Sequence, residues 1–266
     1  MNILNDIVTH KLEEVSSRKS KIKVSALSEF EFYNRTTVSL KNSLDNQNIF
    51  GIIAEVKRSS PSAGTLRKTV IPEQIAVEYQ TNGAAGISVL TDEKFFSGVL
   101  EDLRNVRKAV HLPLLRKDFI VNEYQLHEAK AYGADAVLLI AGILERAQLH
   151  DLYSAATALH LEPLVELYET KEIDILDLDT MKLIGINNRN LKTFEIDLNR
   201  TLEMAKHLPK DITLVSESGI TTTEDLKRLK NAGIHSALIG EHFMKSEKPG
   251  AALRQLLDGL KNETPC

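Results

Sequence analysis

Short apolar runs alternate with longer segments of helical period along most of this chain. From residue 50 onward, eight runs rich in valine, isoleucine and leucine stand out, and most of them are apolar throughout. Continuous apolar runs are typical of parallel strands that are covered on both faces. We therefore predict eight parallel strands, at residues 51–56, 86–90, 112–116, 136–140, 162–167, 183–187, 212–216 and 236–240.

The segments between these runs have the features of helices. Val99, Leu103 and Val106 recur at the spacing of one buried helix face. Glycine can end a helix in the left-handed conformation, and three glycines stand just before predicted strands: Gly83, Gly133 and Gly233. Their separations fit a repeat of about 25 residues, the length of one strand–helix unit in a barrel of about 250 residues. The pattern predicts an α/β fold, the (β/α)8 TIM barrel.

The first part of the chain precedes the barrel pattern. Residues 1–50 carry apolar side chains at near-helical spacing: Ile3, Leu4, Ile7, Val8, Leu12 and Val15. We interpret this segment as an N-terminal helical extension that closes one mouth of the barrel. Residues 1–266 then form a single barrel domain to which the extension belongs.

Composition narrows the class of protein. The longest apolar run, residues 136–144, is far shorter than the ~20 residues of a membrane helix, so we expect no membrane association. A net charge of −4 without a basic stripe argues against nucleic acid as a partner. The only cysteine, Cys266, leaves no internal disulfide, and the N-terminus has no targeting pattern, so we expect a cytoplasmic protein. The eight histidines show no metal-ligand spacing, and we expect no metal.

Polar side chains recur where the predicted strands end. The carboxyl ends of parallel barrel strands face one mouth, so these side chains should converge in space. Glu55 and Lys57, two residues apart, point to the same face of their strand. The complete set is Glu55, Lys57 and Ser60 after strand one, Lys117 and Asp118 after strand three, Glu166 after strand five, Asn187 and Arg189 after strand six, Glu217, Ser218 and Gly219 after strand seven, and Gly240 and Glu241 after strand eight.

Two interpretations of this set compete. A charged residue that closes a strand is usually a solvated edge residue, and several of them could form salt bridges that close the barrel. Acids and lysines enclosed in one mouth instead shift each other's pKa values, which prepares groups for proton transfer. We favour the second interpretation and expect that desolvation of the mouth by a bound substrate lowers a lysine pKa toward neutrality. The glycine-containing loops after strands seven and eight further predict a phosphate site. Phe95 and Phe96 either cover an aromatic substrate or pack on the rim.

Five motifs in the right order resemble the indole-3-glycerol phosphate synthase family. They are residues 53–62 (IAEVKRSSPS), 115–120 (LRKDFI), 163–166 (PLVE), 184–191 (IGINNRNL) and 216–220 (SESGI). The resemblance runs from the N-terminal extension through strand eight. It implies a cofactor-free carboxy-lyase that converts 1-(2-carboxyphenylamino)-1-deoxyribulose 5-phosphate to indole-3-glycerol phosphate in tryptophan biosynthesis.

The resemblance also implies roles for residues. Lys117 would be the general acid in ring closure, Glu166 a later base, and Lys57 a partner for a substrate anion or the leaving hydroxyl. Glu55 would position or deprotonate, and Asn187 would orient the intermediate. The phosphate would be held by Ser218, Gly219 and Gly240, with charge from Arg189, while Ser60 would meet the anthranilate carboxylate. At His242 and Phe243 the chain departs from the family pattern, which has a small residue and a leucine there. Because a carboxylate repels phosphate, Glu241 would contact the phosphate through its backbone N–H rather than its side chain.

Two alternatives stay open from the residues. The phosphate loops alone also fit another phosphosugar enzyme, such as an isomerase, on the same scaffold. The second alternative is a barrel without catalytic activity that senses a phosphorylated ligand. The acid–base pairs argue against it, because a sensor does not need them. In every case we expect a small phosphorylated molecule as partner and a monomer or weak homo-oligomer.

Overall fold

Eight parallel strands close into a ring in the computed structural model, which describes residues 3–45, 50–190 and 193–261. The strands are β1 (Gly51–Val56), β2 (Gly86–Leu90), β3 (Leu114–Lys117), β4 (Ala136–Ile140), β5 (Glu162–Leu167), β6 (Leu183–Asn187), β7 (Thr213–Glu217) and β8 (Ser236–Ile239). Each strand pairs with its sequence neighbours, and β1 pairs with β8 to complete the barrel. The predicted TIM barrel is confirmed. Leu191 and Cys266, which entered the sequence analysis, lie outside the described residues.

Helices separate the strands as the pattern predicted, with one exception. The α-helices are α1 (Ile3–Lys21), α2 (Val24–Leu27), α3 (Leu40–Leu44), α4 (Pro72–Thr81), α5 (Glu93–Phe96), α6 (Leu100–Ala109), α7 (Tyr124–Ala131), α8 (Arg146–Ala158), α9 (Asn199–Ala205), α10 (Thr223–Asn231), α11 (Glu241–Lys245) and α12 (Pro249–Lys261). Between β5 and β6 the chain forms a 3-10 segment instead, Thr170–Ile175. Three of its six residues are β-branched, which disfavours an α-helix. Gly83, Gly133 and Gly233 all have positive φ, as predicted for helix ends.

Two apolar layers stabilise the barrel. Inside the ring, Ile53, Leu115 and Leu164 pack against one another with no exposed surface. Outside it, the helices cover the other face of the sheet, and residues such as Val137 and Leu253 are fully buried there. The strands are therefore covered on both faces, which explains their continuous apolar sequences.

The N-terminal extension reaches both mouths of the barrel. At the amino-terminal mouth, Leu40 and Leu44 of α3 lie against Gly86 and Gly51, the first residues of their strands. Ser39 there donates a hydrogen bond of 2.5 Å to Glu162 at the start of β5. Helix α1 lies instead at the carboxyl-terminal mouth. Helix α1 covers one mouth, as expected of the extension, whereas the cover that α3 provides at the opposite mouth was not predicted.

A buried lysine fixes α1 to the carboxyl-terminal mouth. Lys11 is fully buried, and its Nζ lies 2.8 Å from Asp92 Oδ2 and 2.9 Å from Asp118 Oδ1, in the segments that follow β2 and β3. Arg116 also pairs with Asp118, at 2.9 Å. Burial alone would lower the pKa of Lys11, but the charges of the two aspartates raise it, so Lys11 stays protonated. Among the described residues, no helix is long and apolar enough to cross a membrane.

Candidate active site

A cavity of about 360 Å³ opens at the carboxyl-terminal mouth. Its walls contain all eleven residues that the sequence analysis proposed for a site: Glu55, Lys57, Ser60, Lys117, Glu166, Asn187, Arg189, Ser218, Gly219, Gly240 and Glu241. They come from the ends of six strands, so the barrel alone brings them together. The remaining wall is largely apolar, and Ile3, Leu4 and Ile7 of α1 contribute to it. Phe96 lines the cavity, whereas Phe95 packs edge-on against His10.

Two lysines in the cavity are each paired with carboxylates. Lys57 Nζ lies 2.6 Å from Glu55 Oε1. Lys117 Nζ lies 3.2 Å from Glu166 Oε2 and 2.5 Å from Glu217 Oε2. The three carboxylates are at most 5 % exposed, while the lysine side chains are 14 % and 16 % exposed and reach the cavity space. Each lysine can therefore donate a proton to a bound molecule with a carboxylate behind it.

Asn187 organises the centre of this arrangement. Its Nδ2 donates a hydrogen bond of 3.1 Å to Glu166 Oε1. Its Oδ1 accepts hydrogen bonds from Ser218 Oγ and from the Arg189 backbone N–H, each at 3.0 Å. The amide thus links the carboxylate behind Lys117 to the loop after β7.

The pKa of Lys117 is raised in the free protein. Burial on its own lowers it, as expected, but the charges of Glu217, Glu166 and Glu55 outweigh burial and raise the pKa above its ordinary value. In the free protein the Lys117 pKa therefore lies above its ordinary value, and a lysine pKa near neutrality in the substrate-filled mouth stays a prediction. Spacing along the chain indicates that such a lysine is enclosed, but it does not show how many carboxylates from other strands surround the ammonium group. Lys117 is fully protonated at neutral pH.

Glu217 belongs to the site although the sequence analysis gave it no role. Burial raises the pKa of Glu217 to about 8. The positive charge of Lys117 lowers this pKa, and the negative charges of Glu166 and Glu55 raise it further. Space for its carboxylate exists because residue 185 is glycine, where a Cβ would lie 2.2 Å from Glu217 Oε1. The sequence feature that could have indicated a role for Glu217 is its position at the end of a strand, the same kind of position that Glu166 has.

Another part of the cavity wall, called here the cationic end, carries the positive side chains of Arg189 and Lys245. Ser218 and Gly219 both have positive φ, 69° and 82°, which turns the chain sharply after β7. Arg189 lines this end and pairs with Glu241 at 2.9 Å. Gly240 has a further steric role, because a Cβ there would lie 2.3 Å from Glu55 Oε1. Ser60 Oγ lies on the cavity wall and accepts a hydrogen bond of 3.2 Å from the Ala63 N–H.

These features define a class of protein. It is a (β/α)8-barrel enzyme in which lysine–carboxylate pairs face an apolar cavity with a cationic end, an arrangement suited to proton transfer on an anionic substrate. Within the described residues, no group of three or more His, Cys, Asp or Glu side chains is placed to hold a metal ion.

The family follows from comparison with known proteins. The model of the family described as indole-3-glycerol phosphate synthase matches residues 4–256. The chain is 46% identical to the indole-3-glycerol phosphate synthase of Salinibacter ruber, over 96% of this chain and 95% of that protein. It is 44% identical to the protein of the same name from Bacteroides thetaiotaomicron, over 98% and 99%. The chain belongs to the indole-3-glycerol phosphate synthase family, a family of decarboxylating lyases.

Solved structures show the fold alone. Thiamine phosphate pyrophosphorylase from Pyrococcus furiosus superposes with a TM-score of 0.59 at 15% identity, over 84% of this chain and 98% of that one. A protein of Aquifex aeolicus gives the same TM-score at 13% identity, over 83% and 97%.

Proposed function

We propose that this cavity converts 1-(2-carboxyphenylamino)-1-deoxyribulose 5-phosphate to indole-3-glycerol phosphate, with release of carbon dioxide and water, as a step of tryptophan biosynthesis. Family membership supports the reaction. The structural observation that carries it is the placement of Lys117 between Glu166 and Glu217 in a cavity with an apolar wall. An aromatic ring fits that wall, and the cationic end fits a phosphate.

Ring closure needs an acid beside the ketone. When the ring carbon that bears the carboxylate attacks the ketone carbon, negative charge develops on the ketone oxygen. The Lys117 ammonium donates its proton to that oxygen, and its raised pKa keeps it in the donating form. Loss of carbon dioxide then returns the electron pair of the broken bond to the ring system, and no oxidant or reductant is consumed.

Dehydration needs an acid and a base. The new hydroxyl leaves as water after it takes a proton, which we assign to Lys57 because Glu55 supports that ammonium at 2.6 Å. Glu166 accepts the proton that the intermediate loses, and Asn187, bonded to Glu166 at 3.1 Å, orients both groups. Glu217 acts through Lys117, which it holds at 2.5 Å.

The anionic groups of the substrate are bound at separate places. The backbone N–H groups of Gly219, Gly240 and Glu241 and the Ser218 hydroxyl bind the phosphate, since tight turns allow close approach to an anion. Arg189 adds charge there. Ser60 binds the anthranilate carboxylate on the other side of the cavity before that group is lost.

A fluorescence assay on the purified chain tests the proposed reaction directly. The chain contains no tryptophan, so indole fluorescence from the product rises against a background without protein indole. We expect indole fluorescence to appear with the substrate and to be unchanged by a metal chelator. Release of a different product without indole would favour an isomerase. Substrate binding without carbon dioxide release would favour a sensor.

The remaining expectations are part of the same proposal. We propose that the phosphorylated substrate is the partner of this chain, that it acts as a monomer or weak homo-oligomer, and that it works in the cytoplasm. Light scattering during size-exclusion chromatography measures the oligomeric state. A stable assembly at nanomolar concentration would contradict a monomer or weak oligomer.

A further inference from the structure

Glu241 places an acidic side chain at the cationic end of the cavity, and the proposed reaction has no use for its carboxylate. It is the first residue of α11, and its carboxylate is held from two sides. Oε2 lies 2.9 Å from Arg189 Nη2, and Oε1 lies 2.7 Å from Lys245 Nζ. Burial would raise the pKa of Glu241, but Lys245, Arg189 and Lys57 together lower it. Glu241 is therefore ionised at every pH at which the substrate phosphate is a dianion, since the second ionisation of a phosphate ester lies at about pH 6.

This placement conflicts with a bound phosphate in the same region. Arg189 is the guanidinium that faces the phosphate loops, and a carboxylate on that guanidinium neutralises the charge that a phosphate needs. Lys245 also lines the cavity, and its charge is neutralised by the same carboxylate. Two like charges close together repel, so the carboxylate and a dianionic phosphate cannot share these cations without cost.

We propose that Glu241 is an internal competitor for the phosphate group. In the free protein its carboxylate occupies Arg189 and Lys245, and the incoming phosphate displaces it and takes over these cations. The inference rests on the proposed function, whose phosphate end it concerns. It makes Glu241 a residue that sets substrate affinity rather than a catalytic residue.

The side chains allow such an exchange. The Glu241 side chain is 31 % exposed and that of Lys245 is 56 % exposed, so both can swing toward solvent. Arg189 is 17 % exposed and is fixed at its backbone by the bond to Asn187 Oδ1, so its guanidinium stays near the cavity. The same exchange in reverse helps the product to leave, because the returning carboxylate takes back the cations that held its phosphate.

Titration calorimetry with inorganic phosphate tests the inference on the full chain. In E241Q the cations are no longer neutralised, and we expect the Kd of inorganic phosphate to fall about two- to five-fold, the range for partly exposed charge pairs. The matched control is E203Q, which removes the same charge from a surface pair with Lys206 at 2.7 Å. In E203Q the Kd should equal that of the wild type.

Three results would overturn the inference. The first is an unchanged Kd of phosphate in E241Q. The second is a higher Kd in E241Q, which would show that Glu241 supports Arg189 instead of competing with phosphate. The third is the absence of phosphate binding in both wild type and E241Q. A second variant, E241A, removes the side-chain hydrogen bonds altogether and should also bind phosphate more tightly.

Steady-state kinetics separates this inference from the proposed function. If the wild type forms the indole product, KM should fall in E241Q by the same factor as the Kd of phosphate. If the wild type forms no indole product, the proposed function fails, and the calorimetry still decides the role of Glu241.

Discussion

Lys117 shows how neighbouring charges decide the chemistry of a single side chain. An ion pair about 3 Å long gains about 5 kcal/mol at an effective dielectric constant near 20, and Glu166 forms such a pair with Lys117 at 3.2 Å. Glu217, at 2.5 Å, adds a hydrogen bond below its own raised pKa and a second ion pair above it. Together with the charge of Glu55, these neighbours offset the several kcal/mol that burial of an ammonium group costs. In the free protein the lysine is therefore a protonated acid whose strength comes from its position beside the reacting oxygen. Its catalysis relies on proximity.

Removal of the Lys117 ammonium should abolish most of the turnover. We expect Lys117→Ala to lower kcat by about 10²–10⁴, the usual contribution of one proton-transfer group. The indole fluorescence assay measures it, and circular dichroism checks that the variant folds. Lys206→Ala, which removes an exposed lysine paired with Glu203, is the control and should keep wild-type kcat. Near wild-type turnover in the Lys117 variant would remove this residue from the mechanism.

Glu217 should make stability depend on pH. Its pKa is raised to about 8 in the folded protein from an ordinary 4.5, so the folded state binds this proton more tightly than the unfolded state. The resulting stability is complete below about pH 4.5 and is lost as the pH rises toward 8. The Glu217→Gln variant has no titrating carboxyl group at this position, so it should not lose stability over this pH range for this reason. Between pH 5 and 8 we expect the free energy of unfolding of wild type to fall relative to the variant, by up to about 1.4 kcal/mol per pH unit.

Urea unfolding at three pH values measures this difference. Glu203→Gln is the control, because its carboxylate is 66 % exposed at the surface. A wild type and Glu217→Gln whose stabilities run parallel from pH 5 to 8 would show that Glu217 has an ordinary pKa.

Which residues meet in the cavity follows from their positions along the chain, whereas their effects on each other's pKa values do not. Strand-end positions were enough to predict that eleven residues share one cavity, because parallel strands direct their carboxyl ends to one mouth. The role of Glu217 and the direction of the Lys117 shift depend on distances between side chains of different strands. Those distances follow from the barrel geometry and are not encoded in local spacing.

At the scale of the element, strand positions are predictable wherever an apolar run is flanked by polar residues or glycine. Strand β3 begins at Leu114 rather than at residue 112. Pro113 has no N–H to donate to the neighbouring strand, so the ladder starts after it. Strand β8 ends at Ile239, because Gly240 already caps α11. The location of α3 was not predictable, since apolar spacing indicates a buried helix face without saying which surface buries it.

The contact between α1 and the barrel should depend on Lys11. Lys11→Met keeps the volume of the side chain but leaves Asp92 and Asp118 without their ammonium partner inside the protein. We expect a loss of about 3–5 kcal/mol in the free energy of unfolding, the usual cost of one missing member of a buried ion pair. Denaturant unfolding measures it. Lys206→Met, at the surface, should change stability by less than 1 kcal/mol, and an equally small effect of Lys11→Met would contradict a buried network.

At the scale of the whole molecule, the extension and the barrel share their apolar layers. Ile7 of α1 and Leu40 of α3 pack in the same cluster as the residues inside the barrel. Residues that share a core lose their packing together when the protein unfolds.

This sharing leads to a prediction about cooperativity. We expect thermal unfolding of the full chain to be one transition, with a calorimetric enthalpy equal to the van't Hoff enthalpy. Far-UV circular dichroism and tyrosine fluorescence should give the same midpoint. Two resolved heat-capacity peaks would show that the extension is a separate domain, contrary to the single domain that the sequence predicts.

The distribution of the cavity residues along the chain limits how the protein can be divided. A cut at the exposed Glu145 would leave Glu55, Lys57 and Lys117 on one piece and Glu166, Asn187 and Glu217 on the other. Neither half alone could hold a complete lysine–carboxylate set. Any turnover regained by mixing the two halves would therefore report directly on reassembly of the split barrel.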